Sequence, residues 1–316
     1  MVQPPVPDYS PAQRNRFRRA GFVLLLISLL LFLSAAGYLL VEFLGMHLPG
    51  SGIGQPSITT LPLQISFAYK GADITIVDAR QSKSFIDDPN TATDGMLRLG
   101  LQENNMTPVN IAWSYSDVAE LIQPGKPAVH PTYAPAPVEL APGKAQSSMV
   151  DFAVPLGQPI SRLTLRIGST NEAQEDILLS GKIDSRAFLP QTASLKGSLQ
   201  YFGLNYTLKS VTTSLFMPGQ QAARGMRYVS LTLSVDNTLS QEAIPGSPFE
   251  YARIQYGNAS ASPVDTSLPV SFNAGVLGTT GTITFLVPQK STAYTLVFVP
   301  QQQDSGDQAS VNFSLA

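Results

Sequence analysis

The sequence predicts an all-β protein of two tandem β-sandwiches behind one N-terminal transmembrane helix. Three observations lead to this prediction. Apolar and polar residues alternate along short segments, a pattern of about 132 residues occurs twice, and one long uncharged run lies near the N-terminus. Charged residues make up 13% of the chain, against roughly a quarter in typical soluble domains. Such a composition suits short strands joined by turns better than long soluble helices.

The uncharged run extends from Ala20 to Val41 and directly follows a segment with four arginines. A helix of that length rises about 33 Å, enough to cross a hydrocarbon core of about 30 Å. No Lys or Arg follows until Lys70. Because positive charge is held on the cytoplasmic side, we expect the tail inside and the rest of the chain outside. The predicted segments are a cytoplasmic tail (1–19), a transmembrane helix (20–44) and a linker (45–61).

A cleaved signal peptide is the alternative interpretation of this segment. Ala20–Leu33 would be its apolar region and Ser34-Ala35-Ala36 its small-residue cleavage site. The apolar run continues to Val41, however, and the leader before it is long for a signal peptide. We therefore favour a retained anchor, with the lipid bilayer as the first expected partner and the arginines near anionic headgroups.

Five blocks of sequence recur in the same order with offsets near 132 residues. An ordered set of this kind indicates duplication of a whole domain, because solenoid repeats run to only about 20–50 residues. The matched blocks are Ile74–Ile76 with Tyr206–Leu208, Gly95-Met96 with Gly225-Met226, Leu99–Asn105 with Leu231–Asn237, Phe152–Pro155 with Phe285–Pro288, and Leu163–Ile167 with Tyr294–Phe298.

Within each repeat the apolar period is two. Leu97, Leu99 and Leu101 alternate with Arg98 and Gly100, which places one face of a strand in a core and the other toward water. Several short strands of this type, separated by turn-rich stretches, indicate a β-sandwich. We predict the first sandwich over 62–185, a linker over 186–196 and the second sandwich over 197–316.

These blocks also carry a resemblance to a known family. The Gly225-Met226 pair, the Leu231–Asn237 segment, the Phe285–Pro288 segment and the Tyr294–Phe298 strand resemble the telokin-like immunoglobulin-fold domain of bacterial secreted and membrane-anchored proteins. Residues 60–185 resemble it more loosely, because a proline-rich insert interrupts them. The resemblance implies two immunoglobulin-like sandwiches outside the cell, and it brings no catalytic residues.

The residue types needed for several chemistries are scarce. The chain has no cysteine and two histidines, His47 and His130. A Ser-His-Asp triad, a Cys-His pair and a zinc site therefore have almost nothing to build from. The formal net charge is −2, and the sequence shows no basic surface with aromatic residues. We therefore expect no nucleic-acid partner. We assign no catalytic, cofactor-binding or metal-binding residue, and we expect no cofactor.

Acidic clusters are the remaining candidates for chemistry, as carboxylate pairs or as calcium ligands. Each cluster lies in or beside a polar, turn-like stretch, which favours solvated loop acids. The segment 87–95 offers the densest oxygen donors but departs from an EF-hand loop, since Ala92 occupies a ligand position and the closing Glu is absent. The clusters are Asp73 with Asp78, Asp87-Asp88 with Asp94, Glu172 with Glu175 and Asp176, and Asp304 with Asp307.

Aromatic residues and the insert Gln123–Lys144 offer a different kind of site. We expect Trp113 to fill the core of the first sandwich. For the insert we favour a passive, stiff crossover between two sheets. The alternative is that Tyr115 or Tyr133, together with the proline-rich insert, forms an exposed recognition surface.

The function predicted from sequence is a non-catalytic binding or structural module of the cell envelope, anchored in the membrane. Its partner would be another envelope protein or a wall polymer. The competing hypothesis is an extracytoplasmic hydrolase that uses a carboxylate pair.

Overall fold

The structure is a computed structural model that describes residues 58–89, 94–181, 183–300 and 308–315. The predicted tail, transmembrane helix and most of the first linker lie outside these residues. Within them, no helix is both long enough and apolar enough to cross a bilayer. The prediction of an all-β fold is confirmed: the described chain consists mainly of antiparallel strands.

The described residues of the N-terminal half, 58–89 and 94–181, form nine strands. A single-turn helix, α1 (Tyr115–Val118), and a 3-10 turn at Ile160–Arg162 interrupt them. The strands are β1 (Thr59–Tyr69), β2 (Ala72–Ser82), β3 (Met96–Asn105), β4 (Ile111–Trp113), β5 (Ala119–Ile122), β6 (Val138–Leu140), β7 (Ala145–Ala153), β8 (Thr164–Ile167) and β9 (Glu175–Leu178).

The C-terminal half, residues 191–315, contains twelve described strands and a second single-turn helix, α2 (Pro248–Tyr251). The strands are β10 (Gln191–Ser194), β11 (Ser198–Tyr201), β12 (Leu204–Ser214), β13 (Phe216–Met217), β14 (Gln220–Gln221), β15 (Met226–Asp236), β16 (Ala252–Tyr256), β17 (Ala259–Ala261), β18 (Pro263–Thr266), β19 (Thr279–Pro288), β20 (Ala293–Phe298) and β21 (Ala309–Ser314).

Each half contains two main sheets that enclose one hydrophobic core. In the N-terminal half the strand orders are β1-β2-β3-β7 and β5-β8-β9. In the C-terminal half they are β10-β12-β15-β19-β18 and β17-β16-β20-β21, and β11 also pairs with β12. Two-stranded ribbons, β4–β6 and β13–β14, complete the halves. This arrangement is compatible with a β-sandwich in each half.

The sequence repeat recurs as a repeat of structure. Strands β2 and β12 begin 132 residues apart, at Ala72 and Leu204. From there the order of elements is the same: β3 and β15, α1 and α2, β5 and β16, β7 and β19, β8 and β20, then β9 and β21. The halves differ between β5 and β7, where the N-terminal half carries the insert and the C-terminal half carries β17 and β18. The β13–β14 hairpin, between β12 and β15, also has no counterpart among the described residues between β2 and β3.

The alternating pattern predicted from sequence determines which face of each strand is buried. On β15, the side chains of Val229, Leu231, Leu233 and Val235 have no exposed surface, while Ser230 and Thr232 lie between them, half-buried. Each buried aliphatic side chain contributes about 1.5–3 kcal/mol relative to an exposed one. A slip of one residue would expose the whole set, so the pattern also fixes the register.

The segment expected to be a linker, 186–196, has regular structure for most of its length. A 3-10 turn, Ser185–Phe188, packs beside β1, where the hydroxyl of Ser185 accepts a hydrogen bond from the backbone N–H of Ser66 at 3.1 Å. Phe188 contacts the N-terminal core. The chain then enters β10, which pairs with β12. The connection between the halves is therefore packed against both of them.

Candidate functional site

The densest charged cluster surrounds Arg98 on the outward-facing side of β3. The guanidinium donates to both carboxylate oxygens of Asp151 on β7, at 2.8 and 2.7 Å, and to Asp87 at 2.8 Å. Asp151 is fully buried. The ring of Phe85 covers the guanidinium, with its centroid 4.2 Å from the central carbon. The bidentate ion pair joins β3 to β7, and the separate bond from Arg98 to Asp87 holds the loop that carries Asp87 onto the sheet.

Two of the predicted acidic residues, Asp87 and Asp88, therefore come together with two residues that sequence reasoning missed, Arg98 and Asp151. Asp88 is also buried and hydrogen bonds with Asp151. Burial raises the pKa of Asp151 above its ordinary value. Arg98 opposes that rise, and the neighbouring Asp88 adds to it. Asp88 and Asp151 are buried and Arg98 engages both carboxylate oxygens of Asp151, which favours a structural role for the cluster.

A second buried acid, Glu103, lies inside the N-terminal core and was not predicted. Its Oε1 accepts a hydrogen bond from the hydroxyl of Tyr115 at 2.8 Å and another from Ser148. Glu103 has no exposed surface. Burial raises its pKa, although the bonds from Ser148 and Tyr115 oppose the rise. The sequence could have indicated this burial, because Glu103 follows Leu97, Leu99 and Leu101 at the same two-residue spacing and so lies on the same face of β3.

The prediction for Trp113 is confirmed, and the exposed role considered for Tyr115 is wrong. Trp113 is 5% exposed and Tyr115 1% exposed. The indole contacts Tyr69 and Tyr115 edge-on, with ring centroids 5.7 and 5.9 Å apart. The strand ends at Trp113, and Tyr115 begins α1, which turns its ring into the core, where Glu103 satisfies its hydroxyl. Tyr115 offers no surface to a partner.

The insert Gln123–Lys144 is partly built into the fold. Val129 forms a β-bridge with Leu121, and β6 pairs with β4. Val138 and Leu140 are core residues. The exposed residues of the insert are 124–128, 130, 135–137, 139 and 141–144. These residues remain available as a recognition surface.

The remaining predicted acids have separate environments. Asp78 pairs with Arg80 at 2.7 Å, and Asp176 pairs with Arg166 at 2.7 Å. His130 is largely exposed, 3.8 Å from the carboxylate of Glu120. Asp94 and Asp73 are exposed. Residues 90–93 of the candidate calcium loop, His47 and the pair Asp304 with Asp307 lie outside the described residues. Within the described ranges, no group of three acidic or histidine side chains has a geometry suited to a metal ion.

The region where the two halves meet, which we call the junction, holds the third acidic candidate. Glu172 accepts a hydrogen bond from the hydroxyl of Tyr69 at 2.8 Å and one from the backbone of Ser169 at 3.0 Å. Lys70 lies 3.5 Å from its other oxygen. Burial alone would raise the pKa of Glu172, but the bonds from Ser169 and Tyr69, with Lys70, leave it lowered.

Main-chain hydrogen bonds join the halves at the junction. Ala173 donates to the carbonyl of Ala222 at 2.7 Å, Arg224 donates to Asn171 at 2.9 Å, and Gly219 donates to Lys70 at 2.8 Å. Glu172 and Ala223 form an antiparallel β-bridge. A small cluster of buried residues from both halves, Ala173, Ala222 and Tyr228, fills the contact. In the C-terminal half these bonds involve the turn of the β13–β14 hairpin and the residues directly after β14.

A cleft of about 280 Å³ opens beside the junction. Its walls include Glu175 from the N-terminal half, Phe188 and Pro190 from the connection, and Phe216 and Arg227 from the C-terminal half. Burial raises the pKa of Glu175 to about 8. The guanidinium of Arg227 bonds to the carbonyl of Ser291 and to the hydroxyl of Tyr294. In the described chain no ion pair involves Glu175, so its charge is poorly compensated.

The Asn that ends each repeated Leu-x-Leu block has a structural role. Asn105 and Asn237 have no exposed surface. The amide nitrogen of Asn105 donates to the carbonyls of Val109 and Leu140, and the oxygen accepts from Thr107. Asn237 makes the same type of bonds in the other half. The clearest shared motif of the repeats therefore stabilises loops.

Comparison with known proteins adds little to this description. No family model matches the chain, and no curated protein matches it. A solved structure, described as the conserved domain protein from Bacillus anthracis, is similar to it at 10% identity and a TM-score of 0.24. The alignment covers 81% of this chain and 92% of that one. A TM-score of this size does not establish a common fold.

Proposed function

We propose that the protein is a non-catalytic binding or structural module of the cell envelope, built as two tandem immunoglobulin-like sandwiches and held at the membrane by the Ala20–Val41 helix. The observation that carries the proposal is the junction. Main-chain hydrogen bonds and a shared apolar cluster join the two halves there. A fixed two-part unit suits the presentation of a surface at a set distance, whereas domain closure around a substrate needs a hinge.

The strand orders support the immunoglobulin-like part of the proposal. In an immunoglobulin sandwich one sheet has the order A-B-E-D and the other has C-F-G. In the C-terminal half, β12-β15-β19-β18 follows the first order and β16-β20-β21 follows the second. The N-terminal half has the same orders except that the strand equivalent to β18 is missing. These orders agree with the resemblance to the telokin-like domain family.

The burial of its acids favours a structural role over the hydrolase hypothesis. The pair formed by Asp88 and Asp151 is in direct hydrogen-bond contact, and Asp151 is fully buried. Glycosidases hold their carboxylates about 5–10 Å apart across an open cleft. Asp78, Asp87 and Asp176 are each engaged with an arginine.

Protease treatment of intact cells tests the location. We expect protease added to whole cells to digest both halves, residues 58–315, and we expect high-salt washing to leave the protein in the membrane fraction. Protection of residues 58–315 in whole cells, combined with digestion in lysates, would contradict the proposed orientation.

Cross-linking on intact cells followed by mass spectrometry tests the binding role. We expect one envelope protein or wall polymer to be recovered in a fixed ratio. Replacing the exposed tip 124–128 by a Gly/Ser segment of equal length should reduce that recovery, because the core residues Val138 and Leu140 are untouched. A matched control replaces the exposed turn at Gly257-Asn258. Equal recovery from both variants would remove the tip from the proposal.

A further inference from the structure

The cleft beside the junction combines apolar walls with two ionisable side chains. Phe188 and Pro190 from the connection and Phe216 from the C-terminal half are apolar, and both phenylalanines are half-buried. Among the described residues that line the cleft, only Glu175 and Arg227 have ionisable side chains. The volume of about 280 Å³ lies just below the range of about 300–1,000 Å³ that is usual for drug-sized ligands. A molecule of one ring with a short side chain therefore suits this space.

Arg227 is a cation without a counter-ion among the described residues. Its Nη2 atom donates to the carbonyl of Ser291 and, at 3.2 Å, to the hydroxyl of Tyr294, which are neutral acceptors. Its Nε atom is buried and has no hydrogen-bond partner. In the described chain Arg227 takes part in no ion pair. A half-buried cation is costly unless a negative charge reaches it, so the cleft offers a charged donor to an anion.

Glu175 does not supply that negative charge. It forms no ion pair with Arg227, and its Oε2 atom is buried without a hydrogen-bond partner. Burial alone raises the pKa of Glu175 to about 8, so the carboxyl is mostly protonated and uncharged at pH 7. A protonated carboxyl also has an O–H to donate. At neutral pH, Arg227 therefore gives the walls of the cleft a net positive charge.

The walls of the cleft are held in place by hydrogen bonds within the protein. In each of the three glutamines that line it, the side-chain nitrogen donates to a main-chain carbonyl; these are Gln174, Gln191 and Gln289. Main-chain hydrogen bonds at the junction fix the two halves that contribute the walls. A site that is formed before its ligand arrives loses less free energy in ordering side chains on binding.

We propose that this cleft binds a small organic acid, a single carboxylate on an aromatic or short aliphatic body. The carboxylate accepts a charge-assisted hydrogen bond from the guanidinium of Arg227. The apolar body packs against Phe188 and Phe216, whose rings favour offset or edge-on contact with another ring. The inference goes beyond the proposed function: it rests on the cleft alone and holds whether or not the tip of the insert binds an envelope partner.

Calorimetric titration of the full 316-residue chain with phenylacetate tests the site. At about pH 6.5 we expect phenylacetate to bind at least ten-fold more tightly than phenylacetamide, which has the same shape without the charge. Benzylamine, which carries the opposite charge, should bind at least ten-fold more weakly than phenylacetate. Equal affinity for phenylacetate and phenylacetamide, tighter binding of benzylamine, or a dissociation constant for phenylacetate above about 10 mM would overturn the proposal.

A further titration identifies the source of the carboxylate. N-acetylphenylalanine presents the carboxylate as the C-terminus of a peptide does, whereas phenylacetate represents a free acid. Both results support the site: tighter binding of N-acetylphenylalanine assigns the cleft to a peptide end, and tighter binding of phenylacetate assigns it to a free small molecule.

Variants separate loss of the site from loss of the fold. Arg227→Gln should weaken phenylacetate binding at least ten-fold, whereas Arg224→Gln, an exposed site outside the cleft, should leave it unchanged. Because Arg227 also bonds to Ser291, a second variant keeps Arg227: Ala187→Trp places a ring in the cleft from an exposed position. It should block binding with an unchanged circular dichroism spectrum, and Ala193→Trp, exposed and outside the cleft, is its control. Unchanged affinity in both Arg227→Gln and Ala187→Trp would overturn the proposal.

The pH dependence of binding tests the part of Glu175. An ionised Glu175 repels the carboxylate of the ligand, so the protonated form binds, and affinity should fall by up to about ten-fold per pH unit above about pH 8. Glu175→Gln keeps a neutral side chain and should bind phenylacetate equally at about pH 6.5 and about pH 9.5. A natural protein that loses no affinity between these pH values, or an equal loss in Glu175→Gln, would overturn this part.

Discussion

Single side chains at the ends of strands determine the loops that follow them. Asn105 ends β3 and Asn237 directly follows the equivalent strand β15, and each amide bridges carbonyls from two separate segments of the chain. Without the amide each of these carbonyls would lose a donor, and a buried polar group left unsatisfied costs about 1–3 kcal/mol. The repeated Asn is therefore explained by hydrogen bonding, with no need for a ligand.

Removing this amide should destabilise the protein markedly. We expect Asn237→Ala to lower the free energy of unfolding by about 2–4 kcal/mol, because the carbonyl of Gln241 loses its side-chain donor and the carbonyls of Phe272 and Asn273 each lose one of two donors. Urea unfolding followed by circular dichroism measures the loss. The exposed Asn258 is the control, and Asn258→Ala should change stability by less than about 0.5 kcal/mol. Similar losses in both variants would contradict this role for Asn237.

Glu175 should make stability depend on pH. Burial raises its pKa from 4.5 to about 8, so the folded state holds the proton more tightly than the unfolded chain does. Stability contributed by the neutral carboxyl is complete below about pH 4.5 and is lost as the pH rises toward 8, at up to about 1.4 kcal/mol per pH unit.

The variant Glu175→Gln should remove this loss. We expect it to exceed the natural protein in stability by about 1–3 kcal/mol at pH 8, with a smaller difference at pH 5. Urea unfolding at both pH values measures the change, and Glu139→Gln, at an exposed site, serves as the control. Parallel pH profiles for the natural protein and Glu175→Gln would show that the side chain is not desolvated.

At the scale of elements, the hairpins and inserts distinguish the two halves. The sheets repeat, whereas the β13–β14 hairpin, the insert 123–144 and β18 each occur in one half. The hairpin docks on the turn between β1 and β2, which contains Gly71. That glycine has a φ of +92°, and an added Cβ would lie 2.7 Å from the methyl group of Thr107. Close approach, as well as turn geometry, requires glycine there.

Substitution of Gly71 separates these two requirements. Gly71→Ala should cost about 2–4 kcal/mol, since backbone strain of about 1 kcal/mol or more adds to the clash with Thr107. Gly125 has a φ of +70° with no atom near an added Cβ, so Gly125→Ala carries the backbone cost alone and should lose about 1 kcal/mol. Thermal unfolding compares them, and equal losses would mean that the turn accommodates the methyl group.

At the scale of the whole molecule, the junction makes the two halves one unit. Leu195 donates to Lys209, and Leu208 donates to Gly197, so the connection continues into the C-terminal sheet as an edge strand. Together with the Glu172–Ala223 bridge, this arrangement limits independent movement of the halves. The position near Ser194–Gly197, where a hinge between two sandwiches could be expected, is part of the sheet.

A distance measurement between the halves tests this rigidity. Spin labels on Ser116→Cys and Ser260→Cys, two exposed sites in different halves, should give one narrow distance distribution in pulsed electron paramagnetic resonance. Ala222→Asp places a charge in the buried contact with Ala173, so we expect the distribution to broaden. A broad distribution in the chain that carries only the two labels would contradict a fixed junction.

The features that could be predicted from the sequence are those that depend on neighbouring residues along the chain. Alternation along β15 and the ordered repeat blocks predict strands and duplication, because side-chain period and core burial are local properties. The core position of Trp113 follows from the same reasoning. The ion pair between Arg98 and Asp151 could not be predicted, because its members are separated by 53 residues and meet only when β3 and β7 pair.

The sequence by itself determined the all-β class, the two-fold repeat and the scarcity of catalytic side chains, since these follow from composition and from periodicity along the chain. Tertiary structure alone decided that Tyr115 is buried, that Asp88 contacts Asp151, that the halves are fused through Ala173 and Ala222, and that Glu175 and Arg227 line one cleft. Each of these depends on which distant segments pack together. Packing leaves few buried polar groups without a hydrogen-bond partner over the whole molecule. Which segments provide those partners cannot be predicted from a local sequence pattern.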